Sequence, residues 1–420
     1  MGRWGVVCLC LVIVGTARAQ ELEFSGYFEN QFFPQELDGE LVLQEYDRLR
    51  LDMAVDVGEN VDFAGDIVYR VFHGKTEYSA FDFLPNRVVE EYLAGMRMSF
   101  KDLPPMFAIR MADEHFLDNA YATFYFSCFD LRIGRQQLPW GAGYTWNPTD
   151  LFNDKNLLDP TYEKVGVNAF KLEVPFGKQG MVTGVFGVGE DWESSVKAIR
   201  VKEHIRGFDF SATLAEKEGE RMDYLSFSTI PMQRRLVGGD FSGSLLGLGV
   251  WGEGAFNWME REDNFGQYLL GTDYTFENGF YLTGEYYRNG LGETDEERYS
   301  FADWMRMLSA DGENLGRDYL SIGQSYPIGE LWNWSNFLIL NINSGDRSGV
   351  FFPWFDYSFG DNTEVSLVGY LPFGGNESDF SVMAIVTNIS AAAIPTRTSL
   401  LGNAPNPFNP ETVINYQIHE

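Results

Sequence analysis

Two groups of side chains in this sequence carry types and spacings suited to chemistry. The first is a set of charges on alternate positions between Asp47 and Val71. Arg48, Arg50, Asp52 and Asp56 fall on one side of a period-two pattern, and Leu49, Leu51, Met53 and Val55 on the other. After a turn at Gly58-Glu59-Asn60, Asp62, Asp66 and Arg70 alternate with Val61, Phe63, Ile67, Tyr69 and Val71. Guanidinium and carboxylate groups facing each other across a water-filled space set up a transverse field that sorts solutes by charge. In a closed wall they would only pair. Arg97, Arg132, Asp209, Asp273 and Glu285 sit at comparable positions of other strand-like runs.

The second group lies in a long segment after the strand-like run Leu131 to Gln136. Trp140, Tyr144 and Trp146 are interleaved there with Asn147 and Asp150, and Phe152, Asn153, Asp154 and Asp159 follow. Aromatic faces stack on sugar rings, and amide or carboxylate oxygens bond to hydroxyls. The same aromatics also suit a membrane-interface belt. A loop of this kind folded into a barrel would act as a constriction.

Catalysis finds little support. The four histidines, His73, His115, His204 and His419, are far apart in sequence, and Asp113-Glu114-His115 reads as a solvated loop. No zinc-protease, serine-hydrolase or phosphate-loop pattern occurs, so no enzyme activity, cofactor or metal is expected. The acidic stretch Asp311-Gly312-Glu313-Asn314 lacks calcium-loop spacing.

The elements that must position these groups are strands. The 420 residues hold 16% aromatics and 44 glycines, at a mean hydropathy of only -0.21. Strands with one apolar and one polar face give that combination. The 47–71 hairpin has arms of about 11 residues, enough for a tilted strand to cross a bilayer. Its charged face is too polar for a dry core. Similar runs recur to about residue 388, giving roughly 16–18 strands with no fixed-period repeat. Among them, 87–100, 119–127 and 377–388 read as strands, and Phe301 to Leu308 as one helical turn inside the acidic 289–316 loop. Short turns alternate with the long segments 72–86, 137–165 and 289–316, as in outer-membrane barrels. The fold expected is therefore all-β: an antiparallel transmembrane β-barrel over residues 20–389.

Residues 1–19 read as a secretory signal, with Arg3, an apolar Trp4 to Val14 and a small-x-small Ala17-Arg18-Ala19. Cys8 and Cys10 fall inside it, leaving Cys128 and no internal disulfide. The net charge of -30 argues against nucleic acid as a partner. The partners expected are outer-membrane lipid and small polar solutes or sugars. A homo-oligomer is compatible with this reading, though the sequence marks no interface.

Two stretches resemble known families. Gly134-Arg135-Gln136-Gln137, Trp140-Gly141 and Asn147-Pro148-Thr149-Asp150 resemble the G-R-Q…W-G…N-P-x-D signature of porin-like outer-membrane barrels, loosely of the alginate-export and phosphate-porin groups. That resemblance implies the cell outer membrane and passive or facilitated diffusion, and names no solute. Pro405-Asn406-Pro407-Phe408-Asn409-Pro410 resembles the opening of C-terminal Ig-like sorting domains, of which only the first strand is present. Residues 390–420 thus read as a linker and a truncated sorting-domain-like tail. The competing reading is an exported, surface-attached β protein that binds polysaccharide or serves structurally. Strand faces separate the two: in a membrane barrel Leu49 and Leu51 meet lipid, in a sandwich they form the core.

Overall fold

A computed structural model describes residues 21–37, 40–97, 99, 107–153, 166–224, 228–308, 314–360, 363–375, 377–380, 386–393, 399–400 and 416–417. Among these residues a single antiparallel sheet of 18 strands closes on itself. The strands run β1 (Glu21–Leu37), β2 (Glu40–Asp56), β3 (Val61–Gly74), then, after two short pieces, β4 (Glu77–Ser79) and β5 (Ala108–Arg110), which pair with each other outside the barrel wall. The wall resumes with β6 (Glu114–Tyr125), β7 (Asp130–Gln136), β8 (Val167–Phe176), β9 (Gly180–Gly187), β10 (Val196–Ile205) and β11 (Phe208–Asp223). It continues through β12 (Ser228–Leu245), β13 (Leu248–Met259), β14 (Phe265–Thr275), β15 (Tyr281–Asn289), β16 (Asp318–Ile328), β17 (Trp332–Asn341), β18 (Gly349–Ser358), β19 (Thr363–Phe373) and β20 (Val386–Ala393). Pairing of β20 with both β19 and β1 removes the free edges that an open sheet would expose. Ser390–Ala393, expected in a linker, are the last four residues of this closing strand. The Pro405–Pro410 motif lies outside the described residues.

Register fixes which way each side chain faces. Ile199, Leu214, Val237 and Phe256 are direct neighbours across four strands, and each is more than a third exposed. Phe28, Leu49 and Tyr69 form a second such row. Apolar rows facing outward, with charged rows between them facing inward, are the reverse of a water-soluble sandwich and match a lipid-facing wall. The connections after β2, β6, β8, β10, β12, β14, β16 and β18 are short and share one rim. Two of them, Arg206-Gly207 and Leu246-Gly247, have positive φ at both residues, the primed-turn geometry that follows strand twist. The long connections share the other rim.

One expected strand is a helix. Asn86–Met96 forms α1, with Val88, Val89, Tyr92 and Leu93 buried on one face. Their spacing is that of a helix stripe, and the run was misread as a strand because it is so rich in apolar residues. Phe301–Leu308 is helical, as expected, and forms α2. The two helices pack through Phe81, Tyr92, Phe107, Phe301 and Trp304, where the Tyr92 and Phe301 rings stack at 3.8 Å. The β3–β6 and β15–β16 connections thereby form a cap on the long-loop rim.

Candidate functional site

The inward face of β1–β3 carries the charge cluster. Arg48 pairs with Glu29, and both are buried. Arg50 sits among three carboxylates: Asp52 at 2.7 Å, Asp66 at 2.7 Å and Asp118 at 2.8 Å. Asn119 also donates to Asp66 at 2.5 Å. One guanidinium against three carboxylates leaves the cluster acidic. Arg70 pairs with Glu114 at 2.8 Å and lies over the Tyr46 ring. Arg132 donates to Thr123 at 3.0 Å and lies 4.2 Å from the Tyr121 ring centre. Asp56 and Asp62 face each other beside the turn between β2 and β3, so they belong to the short-turn rim and not to the middle of the lumen. Arg97 is not on the wall. It ends α1 in a left-handed conformation with φ 52°, inside the β3–β6 excursion.

The segment after β7 enters the barrel and is held there by two wall carboxylates. Glu253 of β13 accepts from the Ala142 N–H at 2.8 Å, Gly143 N–H at 3.1 Å, Thr149 N–H at 2.6 Å and Thr149 hydroxyl at 2.8 Å. Glu285 of β15 accepts from the N–H groups of Tyr144 (2.7 Å), Thr145 (3.0 Å) and Trp146 (3.2 Å). A fourth donor, the Trp251 indole, reaches it at 2.6 Å. The indole crosses the sheet over Gly271, where a Cβ would meet its ring at 2.2 Å. Gly141, at φ +99°, leaves room for the Glu253 carboxylate, which a Cβ there would meet at 2.6 Å. Four hydrogen bonds to each buried carboxyl group stand in for the water it loses on burial.

Within the loop, Asp150 accepts from the N–H groups of Phe152 and Asn153, and Asn147 donates to the Trp140 carbonyl at 2.9 Å. Trp140 packs edge-on against Phe152 at 4.9 Å, with Arg200 of β10 over its ring at 5.8 Å. Trp146 stacks on Tyr287 at 4.8 Å and donates to Asn314. Tyr144 packs in the same cluster. Trp140 and Trp146 are thus buried in the contact between loop and wall: they hold the loop in place and do not present open faces to a sugar. Sequence reading missed Glu253, Glu29 and Asp118, and named Glu285 only as a lumenal charge. The available signal was Trp140-Gly141, whose glycine leaves the space that the Glu253 carboxylate takes.

No family profile and no curated protein matches the sequence. Solved structures do. OccAB1 of Acinetobacter baumannii aligns over 90% of this chain and 98% of its own, with TM-score 0.56 and 10% identity. OccK9 of Pseudomonas aeruginosa covers 90% and 100% (TM-score 0.54, 10% identity), and a BenF-like porin of Pseudomonas fluorescens 89% and 98% (TM-score 0.54, 10% identity). The fold is that of an outer-membrane porin. Residues 137–153 run inside this barrel, and at their start Gln137 donates to Asp118 of the Arg50 cluster at 3.1 Å.

Proposed function

We propose that this chain is a non-catalytic porin of the outer membrane that lets small polar solutes diffuse through an eyelet. One side of the eyelet is the loop tied to Glu253 and Glu285; the other is the Arg50 cluster. The observation that carries the reading is this tethered loop inside a closed barrel with apolar rows outside. The porins of similar fold support it. In the same reading residues 1–19 direct export, and the outward rows contact lipid. The formal charge of Arg50 with Asp52, Asp66 and Asp118 is one positive against three negative, so cations are preferred. The test is single-channel recording of the purified chain in planar bilayers under a salt gradient. Discrete steps with a cation-selective reversal potential are expected. Folded protein that inserts but gives no steps would refute the channel, and anion selectivity would refute the assignment of the eyelet wall.

A further inference from the structure

Three connections of the long-loop rim meet at one tyrosine. Tyr319, near the start of β16, is fully buried. Trp146 of the constriction loop lies 5.9 Å from its ring, and Phe380 of the β19–β20 connection meets it edge-on at 6.5 Å. Its hydroxyl accepts from the Gly316 N–H at 2.5 Å and donates to the Asp379 carboxyl. Residues 377–380 therefore turn into the barrel. Phe380 joins the same apolar cluster as Trp146, Trp251, Phe352 and Tyr370. The segment fills lumen space between the β16–β19 wall and the constriction loop.

What holds it there is acidic on both sides. The Asp379 N–H donates to Asp346 at 3.0 Å. The same Asp346 oxygen accepts from the Tyr299 hydroxyl at 2.8 Å and the Asn341 amide at 3.0 Å. The other Asp346 oxygen is buried without a hydrogen-bond partner. Both carboxyls are 1% exposed. Among the described residues, the surrounding elements bring no free cation to them. Arg87 of α1 is engaged by Glu377 and Glu91, Arg317 donates to the Gly292 carbonyl, and Arg347, next to Asp346, is exposed. The remaining titratable neighbours, Tyr299, Tyr319, Tyr370 and Glu296, are neutral or acidic. Ionising Asp379 in this buried place, beside the Asp346 carboxyl, carries an electrostatic cost.

We propose that residues 377–380 are a proton-dependent plug, docked in the lumen while the Asp379 carboxyl holds a proton and released when it loses that proton. This rests on the channel reading above. Burial, with Asp346 adding to it, outweighs the hydrogen bonds from the Tyr319 hydroxyl and the Leu315 and Gly316 backbone and pushes Asp379 from 3.8 up to about 7. A carboxyl raised in the docked state favours docking fully below the free value. That preference is lost as pH rises through about 7, at about tenfold per pH unit between the two values. The plug is therefore in at pH 5 and loosened at pH 8.

The experiment compares wild type, Asp379→Asn and Asp379→Ala in planar bilayers between pH 5 and 9. Asparagine copies the protonated acid and does not titrate, whereas alanine removes the anchor. Wild-type conductance should rise with pH, Asp379→Asn should stay at the low level, and Asp379→Ala at the high level throughout. A wild-type conductance independent of pH, or an unaltered pH step in Asp379→Asn, overturns the plug. Amide hydrogen exchange of peptides spanning 377–380, in folded detergent-solubilised protein, reads undocking without any current. At pH 8 wild type should exchange faster than Asp379→Asn, and the two should match at pH 5. Equal exchange of both at every pH also overturns the plug. An exchange switch in protein that never conducts overturns the channel reading alone.

Discussion

Replacing Glu285 by alanine should untie the middle of the constriction loop without unfolding the barrel. The carboxylate receives four donors: three loop N–H groups and the Trp251 indole. A buried donor left without an acceptor costs about 1–3 kcal/mol. Lumen water replaces part of the loss, so about 1–1.5 kcal/mol per donor is the fitting end of that range. The three loop donors sum to about 3–4.5 kcal/mol, which weakens docking of residues 144–146 by about two to three orders of magnitude. Thr149 and Ala142 stay bound to Glu253, and Leu151 keeps its place against Ala215 and Leu236. The loop should therefore swing from its ends and not leave the barrel. In single-channel recordings the variant should show a larger mean conductance and more open-channel noise. A heat-dependent gel mobility shift identifies the folded barrel. Folded Glu285→Ala protein with wild-type conductance and noise would refute the claim that this carboxylate sets the eyelet.

Arg50→Ala leaves Asp52, Asp66 and Asp118 without their shared counter-charge, so the reversal potential should move further toward cations; truncating one partner of a buried charge cluster also costs about 3–5 kcal/mol, read as a lower denaturation midpoint. Movement toward anions would overturn the placement of this cluster in the eyelet. Leu51→Lys puts a charge on an outward position that is 49% exposed, and should lose most membrane assembly, at about 2–4 kcal/mol for a mid-bilayer lysine. Asp52→Ala, one residue away but facing inward, should assemble normally, and equal yields of the two in a membrane-insertion assay would refute the lipid-facing row.

How much was legible beforehand differs by element. Strand faces were readable wherever the alternation was strict, because side chains in a strand must alternate whatever lies around them. Thus Arg48, Arg50, Asp52 and Asp66 read as one polar face, and the structure joins Arg50 to Asp52 and Asp66 while Arg48 pairs with Glu29. Arg97 was misplaced because residues 86–96 carry enough valine and leucine to read as a strand. Their helical spacing takes effect only through a partner surface, supplied by Phe81, Phe107 and Phe301 from distant segments.

The sequence by itself determined strands with one apolar and one polar face and the turns between them, and the closed register put the apolar face outside. Tertiary structure alone decided what the aromatic loop does. Trp140, Tyr144 and Trp146 could have been belt, sugar platform or packing. The outcome depends on Glu253 and Glu285, more than a hundred residues further along the chain, whose oxygens meet the loop's N–H groups only after the barrel has closed. The same holds for Asp379, whose surroundings come from Asp346, Tyr319 and Tyr299 on other connections. Local pattern specifies the wall because its hydrogen bonds run to neighbouring strands. The lumen is filled by contacts of long sequence separation, which no local pattern encodes.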